Sequence, residues 1–199
     1  MSTTIRQPDV TRSRILEAAR IAFAAEGYDR TSVSSICRRA GVTKGGFYHH
    51  FESKQALFLE LLDEWLAKLD SKLDVLERAG QSVPARFVAM SGVVGDILAD
   101  ADEQLLIYVE FMTQALRDPA LREATVAPYH RYLQRVTALI EQGVAEESLN
   151  PVPAEATASL VLAVFMGLLM QALLDPGWTD WERASAEGMR VFLSGVIKQ

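Results

Sequence analysis

Apolar residues recur at intervals of three and four along nearly the whole chain, and nowhere do they alternate over the length of a strand. Ile15, Ala19, Ala22 and Phe23 fall on one stripe, and Leu57, Leu61, Trp65 and Leu69 on another. That period fits a helix, because the side chains of a strand change face at every residue. The expectation is an all-α fold of about nine helices. Gly27 and Gly41 end the first two, Thr31 or Ser32 caps the second, Ser53 the fourth and Ser82 the fifth. An acidic stretch, Asp100 to Glu103, opens the sixth. Asp118 followed by Pro119 opens the seventh, which Pro128 is expected to bend or break. Thr179 and Glu182 have capping-box spacing before the ninth. The fourth helix, reaching about Arg78, is too long for a small head and is expected to link head to body.

Composition excludes several classes of function. One Cys can form no internal disulfide, and three His, two of them adjacent, leave little material for a metal centre. No metal and no cofactor is expected. The N-terminus lacks the apolar stretch of a secretory signal, so a reducing cytoplasm is the expected compartment. The net charge of −6 divides into +3 over residues 1–60 and −9 over residues 61–199. An anionic polymer would be tolerated at such a head and repelled by such a body.

Ala156 to Leu174 is a run of 19 residues without a charge. Length alone would allow a membrane span. However, Thr157, Ser159 and Gln171 interrupt it, Glu155 and Asp175 border it, and no basic anchor flanks it. Ser159, Ala163, Gly167 and Gln171 form a row of small or polar side chains beside Leu160, Val164 and Leu168, which lets a neighbouring helix approach closely. A helix apolar all round needs burial on more than one side, which a subunit interface supplies.

The first third of the chain carries the sharper signal. Two short helices joined through Gly41, Val42 and Thr43, and braced by a first helix, have the layout of a helix-turn-helix. The second would present Thr43, Lys44, Gly45, Gly46, Tyr48 and His49 while Phe47 points inward. Lys44 and the unbonded N–H groups at the helix start suit a phosphate or a base edge. Two glycines remove side chains where backbone could approach DNA closely. Lys54, in the first turn of the next helix, opposes the helix dipole unless an anion is near. Thr31, Ser32 and Ser34 are placed near the DNA backbone.

The stretch from Arg14 to Leu62 closely resembles the DNA-binding head of the TetR family of bacterial transcriptional regulators. Ala19, Phe23, Gly27, Tyr28, Thr31 and Ser32 match the start of the family pattern. Ile36, Ala40, Gly41, Val42, Thr43, Lys44 and Gly45 match its turn and recognition helix, and Tyr48, His50, Phe51, Lys54 and Leu57 its end. Many relatives carry Ala, Thr or Ser where this chain has Gly46, which removes a contact to a thymine methyl, and Cys37 replaces a usual alanine. The resemblance implies a head over residues 10–56 and an effector-binding and dimerisation domain over 57–199. It also implies a homodimer built from helices eight and nine, here with Ser159, Ala163, Gly167, Met170, Gln171, Leu174, Met189 and Phe192 at the seam. The implied partners are palindromic double-stranded operator DNA and a small-molecule effector that releases it.

The body is compatible with an effector pocket. Trp65, Met90, Val94, Tyr108, Phe111, Met112, Tyr129, Tyr132, Phe165 and Met166 offer large, soft or aromatic surface, and ordinary core packing is the rival explanation. Glu110 lies among apolar neighbours, where an unpaired carboxylate would be costly. It is expected to pair with Arg131 or Arg135, to face solvent or to meet a ligand, and His130 has the same options. Glu110 and His130 could also be imagined as an acid–base pair, yet nothing places a nucleophile or metal beside them, and an enzyme is not expected. The expected function is a ligand-responsive repressor, with an activator or a protein-responsive regulator of the same fold as the alternative.

Overall fold

The computed structural model describes the backbone of residues 7–78, 81–99 and 101–197, and the side chains of these except 7–9, 94–99 and 101–105. Within them lie nine helices and no strand: α1 (Gln7–Glu26), α2 (Val33–Ala40), α3 (Lys44–His50), α4 (Lys54–Arg78), α5 (Val83–Ala99), α6 (Ala101–Ala115), α7 (Pro119–Ala145), α8 (Ala154–Leu174) and α9 (Trp181–Ser194). The side chains of Asp100 to Glu103, expected to open α6, lie outside the described residues. An antiparallel bridge joins Leu149 to Ile197, and Asn150 N–H donates to the Val196 carbonyl at 2.7 Å, closing the end of the chain onto the α7–α8 turn.

Caps set the helix ends. Ser32 Oγ accepts from Ser35 N–H at 3.0 Å while Ser35 Oγ accepts from Ser32 N–H at 3.1 Å, a reciprocal box at the start of α2. Asp118 accepts from the N–H groups of Ala120 and Leu121 at the start of α7. Of the two outcomes expected at Pro128 the break does not occur: α7 runs unbroken through it, since a missing N–H removes one rung from a helix with many others on either side. One cap is corrected. At α9 the cap is Asp180, whose Oδ1 accepts from Arg183 N–H at 3.0 Å, not Thr179 one residue earlier. Gly41 turns the chain between α2 and α3 at φ 64°, and a Cβ there would meet Arg14 Nη2 at 2.7 Å. That guanidinium is needed in place, because it donates to the Ala40 carbonyl that ends α2.

Apolar residues gather into two cores. The first joins Ile15, Phe23, Ile36, Phe47 and Phe51 to Leu57 and Phe58 of α4 and to Ile107 and Phe111 of α6. The second joins Val83 and Phe87 of α5, Val136 and Ile140 of α7, Val161 and Phe165 of α8, and Met189 and Leu193 of α9. α4 passes the position 56–57 without a break and contributes to both the head and the wall of the body.

In the second core α7 meets the α7–α8 turn at Gly143, where a Cβ would stand 2.7 Å from Leu149 Cδ1 and 2.9 Å from Val83 Cγ1. Gly143→Ala should therefore destabilise the fold by about 1–3 kcal/mol through overpacking, despite alanine's better helix propensity. Urea denaturation checks this; unchanged or raised stability would show that the two side chains give way freely.

Candidate DNA-binding surface and effector cavity

α3 is built with one face in and one face out. Phe47 is fully buried, with Phe51 one turn beyond it, and the Phe47 ring meets Tyr48 edge-on at 5.2 Å. Lys44 and Tyr48 are one turn apart on the outer side, as are Gly45 and His49, and all four are exposed, Tyr48 by 55%. Thr43 Oγ1 accepts from Gly46 N–H at 3.0 Å and so holds the start of the helix. A Cβ on Gly45 or Gly46 would come no closer than 3.5 Å to any neighbour. Packing within the subunit therefore does not demand either glycine. Ser32 and Ser34 are exposed at the start of α2, so Ser32, Ser34, Thr43, Lys44, Gly45, Tyr48 and His49 all reach the surface, with Gly46 half-buried.

Two residues placed at the DNA by sequence turn inward. Thr31 is buried, and its hydroxyl lies 2.8 Å from the Gly27 carbonyl and 3.2 Å from that of Ala22, sealing the α1–α2 turn. Lys54 Nζ donates to the Tyr28 carbonyl at 2.7 Å and the Thr31 carbonyl at 2.9 Å, and lies 4.0 Å from the centre of the Tyr28 ring. Burial pushes its pKa down. The structure corrects Lys54 from a free phosphate-binding cation to a brace of the 28–31 turn, because two of its three protons are already held.

A cavity of about 510 Å³ lies between the two cores, walled by α4, α5, α6, α7 and α8. Trp65, Met90, Tyr108, Met112, Tyr129, Tyr132, Phe165 and Met166 line it, as expected from sequence. Trp65 and Tyr108 form an aromatic corner with ring centres 4.9 Å apart. The leucines of α4 (Leu62, Leu66, Leu69 and Leu73) complete the wall, together with Val93, Thr125, Pro128, Arg135 and Leu169, which sequence reasoning missed. The leucine ladder could be seen as an apolar face but not told from core. Tyr108 is pushed up in pKa by burial alone, and no hydrogen bond to its hydroxyl is made among the described residues. Tyr132 is pushed up to about 12, chiefly by burial, so both phenols stay protonated at neutral pH.

Four expected cavity residues are elsewhere or undescribed. Glu110 meets none of its expected partners: Oε1 accepts from Tyr28 N–H at 3.0 Å and from Gln114 Nε2 at 3.1 Å, against the head. Phe111 is buried in the first core, stacked on Phe58 at 3.7 Å. His130 is exposed and does not line the cavity. The side chain of Val94 lies outside the described residues. Arg131 and Arg135 pair with α4 instead of Glu110. Arg131 Nη2 lies 2.8 Å from Asp70 Oδ2, Arg135 Nη2 lies 2.6 Å from Asp74 Oδ1, and Arg135 Nε bonds Glu77.

Along α8, Leu160, Ala163, Val164, Met170, Gln171 and Leu174 are exposed, Leu174 by 80%, and Val191 of α9 is exposed by 73%. Gly167 and Gly188 have nothing within 4 Å of a Cβ position. α8 has the length and hydropathy of a membrane span, yet only 22% of its most apolar stretch is buried within the subunit. Ser159 is half-buried, its hydroxyl 3.0 Å from the Glu155 carbonyl. Met189 is corrected: it lies inside the subunit's own second core at 2% exposure, and Phe192 is half-buried against the same core.

If Lys54 is a brace, Lys54→Met should lower unfolding free energy by about 1–3 kcal/mol, since it leaves the two carbonyls short of a donor. Lys44→Ala, on the exposed face, should stay within about 0.5 kcal/mol of the native protein. Equal stability of both variants in urea would return Lys54 to the surface.

Comparison with known proteins agrees with this geometry. Residues 15–61 match the model of bacterial regulatory proteins of the tetR family, and residues 89–194 that of the BetI-type transcriptional repressor C-terminal domain. The uncharacterized HTH-type transcriptional regulator YfiR of Bacillus subtilis (strain 168) is 28% identical over 98% of this chain and 96% of its own. The structure of Salmonella enterica GusR is 28% identical and superposes with a TM-score of 0.78 over 97% of this chain and 98% of its own. FadR from Bacillus subtilis in complex with stearoyl-CoA shares the fold at 16% identity, with a TM-score of 0.80 over 92% of this chain and 98% of its own. The chain belongs to the TetR family of bacterial transcription regulators, a helix-turn-helix head that binds DNA on a ligand-responsive helical body.

Proposed function

We propose that the protein is a cytoplasmic repressor that grips a palindromic operator as a homodimer and releases it when a mostly apolar small molecule fills the cavity between α4 and α8. The observation that carries this reading is the pairing of an exposed recognition helix with a cavity of about 510 Å³ through shared helices. Residues 10–56 act as the head and residues 57–199 as the effector and dimerisation domain. On the head, Ser32, Ser34, Thr43, Lys44, Gly45, Tyr48 and His49 meet DNA. Most of these contacts go to phosphate and fix register, and few specify bases. The uncovered face of α8 and α9, centred on Val164, Gly167 and Val191, packs on its own copy. Such a dimer must set its two α3 helices about 34–36 Å apart to enter successive major grooves. Effector binding releases the operator only if the effector prefers the unbound spacing. The stearoyl-CoA complex of FadR supports the capacity of this fold to hold a molecule with a long apolar chain.

The DNA contact is tested by salt. With one phosphate neutralised by Lys44 in each subunit, Lys44→Ala should lower the slope of log K against log salt by about 1.8. An unchanged slope would remove Lys44 from the backbone. The cavity is tested by Met112→Trp, which adds bulk to its α6 wall. Operator affinity without effector should persist while release needs a higher effector concentration. If the residue is ordinary core, the variant instead loses about 1–3 kcal/mol of stability with an unchanged half-maximal effector concentration.

A further inference from the structure

The chemistry of the effector can be narrowed from one feature of the cavity wall. Among the described residues, Arg135 is the single charged one whose side chain lines it. A lone guanidinium in an apolar cavity would be an anion-binding site, suited to a carboxylate or phosphate. Here the charge of the guanidinium is already met by carboxylates, and two of its three nitrogens donate to them. Nη2 lies 2.6 Å from Asp74 Oδ1, Nε bonds Glu77, and Nη1 lies 3.9 Å from Asp70. Asp70 is shared with Arg131 at 2.8 Å. Two arginines thus face three carboxylates, and the ladder between α4 and α7 carries a surplus negative charge beside the cavity.

We infer that Asp74 and Glu77 determine effector specificity: by holding Arg135 within the ladder they make the cavity reject anions and select an uncharged lipophilic molecule. This rests on the cavity being the effector site. An anionic ligand would have to share Arg135 with the carboxylates of Asp74 and Glu77 against their repulsion, or enter apolar surroundings unpaired, and both are costly. A cation finds no carboxylate among the described lining residues. An uncharged ligand meets the Trp65 and Tyr108 rings and can bond the Tyr108 hydroxyl, which has no hydrogen-bond partner among the described residues. The ladder therefore converts what looks like an anion site into a neutral one.

The test uses three probes on one ring system: neutral 1-hydroxypyrene, anionic 1-pyrenecarboxylate and cationic 1-pyrenemethylammonium, titrated at neutral pH by anisotropy. The native protein should bind the phenol at least about tenfold more tightly than either charged probe, because a buried unpaired charge is heavily penalised. Asp74→Asn with Glu77→Gln frees the guanidinium and should tighten the carboxylate at least about tenfold while leaving the phenol within about twofold. Adding Arg135→Met should abolish that gain. Should the double variant not fold, Glu77→Gln alone carries the same test with a smaller gain. Native affinity for either charged probe that equals the phenol's overturns the inference, and so does carboxylate affinity unmoved by freeing Arg135. Failure of all three to bind overturns it as well. Operator release is read separately: phenol bound with operator still held retires the effector role and leaves the charge selection standing.

Discussion

Phe58 and Phe111 stack with ring centres 3.7 Å apart and planes 14° from parallel, and both are fully buried. One ring comes from the start of α4 and the other from the middle of α6, so the contact is where head and body become one core. Phe23 packs on the edge of Phe58 at 5.0 Å, and Tyr28 lies 4.5 Å from it, which draws α1 and its turn into the same cluster. Deleting either stacked ring would remove transfer free energy and open a cavity, with typical costs of about 3–5 kcal/mol for a buried phenylalanine. A head of this size buries little apolar surface by itself and is marginal without such a joint.

α6 works on both sides of this joint. Its Phe111, Glu110 and Gln114 face the head, where Glu110 receives Tyr28 N–H and Gln114 Nε2 donates to Asp29 at 3.2 Å. Its Tyr108 and Met112 face the cavity. Helical spacing makes this division: positions 108 and 112 share a face, 110 and 114 fall on the opposite side, and 111 lies at the border between them. α4 behaves alike, with Leu57 and Phe58 in the first core and Leu69 and Leu73 on the cavity wall. Under the proposed function, a ligand that moves either helix shifts the 28–31 turn, because Glu110 and Lys54 grip it from both sides.

The helices and the helix-turn-helix were legible in the sequence because their signals are local. Caps such as Ser32 and Asp118, the turn at Gly41 and the periodic apolar stripes act within a few residues. Cavity residues were partly legible, since Trp65, Tyr108 and Met166 are conspicuous in composition. Side-chain partners were not. Glu110 looked equally able to reach Arg131 or Arg135, and only the packing angle of α6 on the head gives it to Tyr28, 82 positions away. Arg135 finds Asp74 at a separation of 61, and Lys54 finds Tyr28 at 26. Met189 was misplaced for a related reason: an apolar residue on α9 can face core or partner, and periodicity alone does not say which side the second core occupies.

The claim on which all of this depends is that head and body share one cooperative core, and native-state hydrogen exchange measures it directly. The Tyr28 amide, bonded to the Glu110 carboxylate, should open with the same free energy as the amides of Phe58 and Phe111, and all three should fall together in low denaturant. Exchange of Tyr28 and the α1–α3 amides at a distinctly lower free energy, with the α6 amides still protected, would show a head that unfolds by itself and would contradict the account.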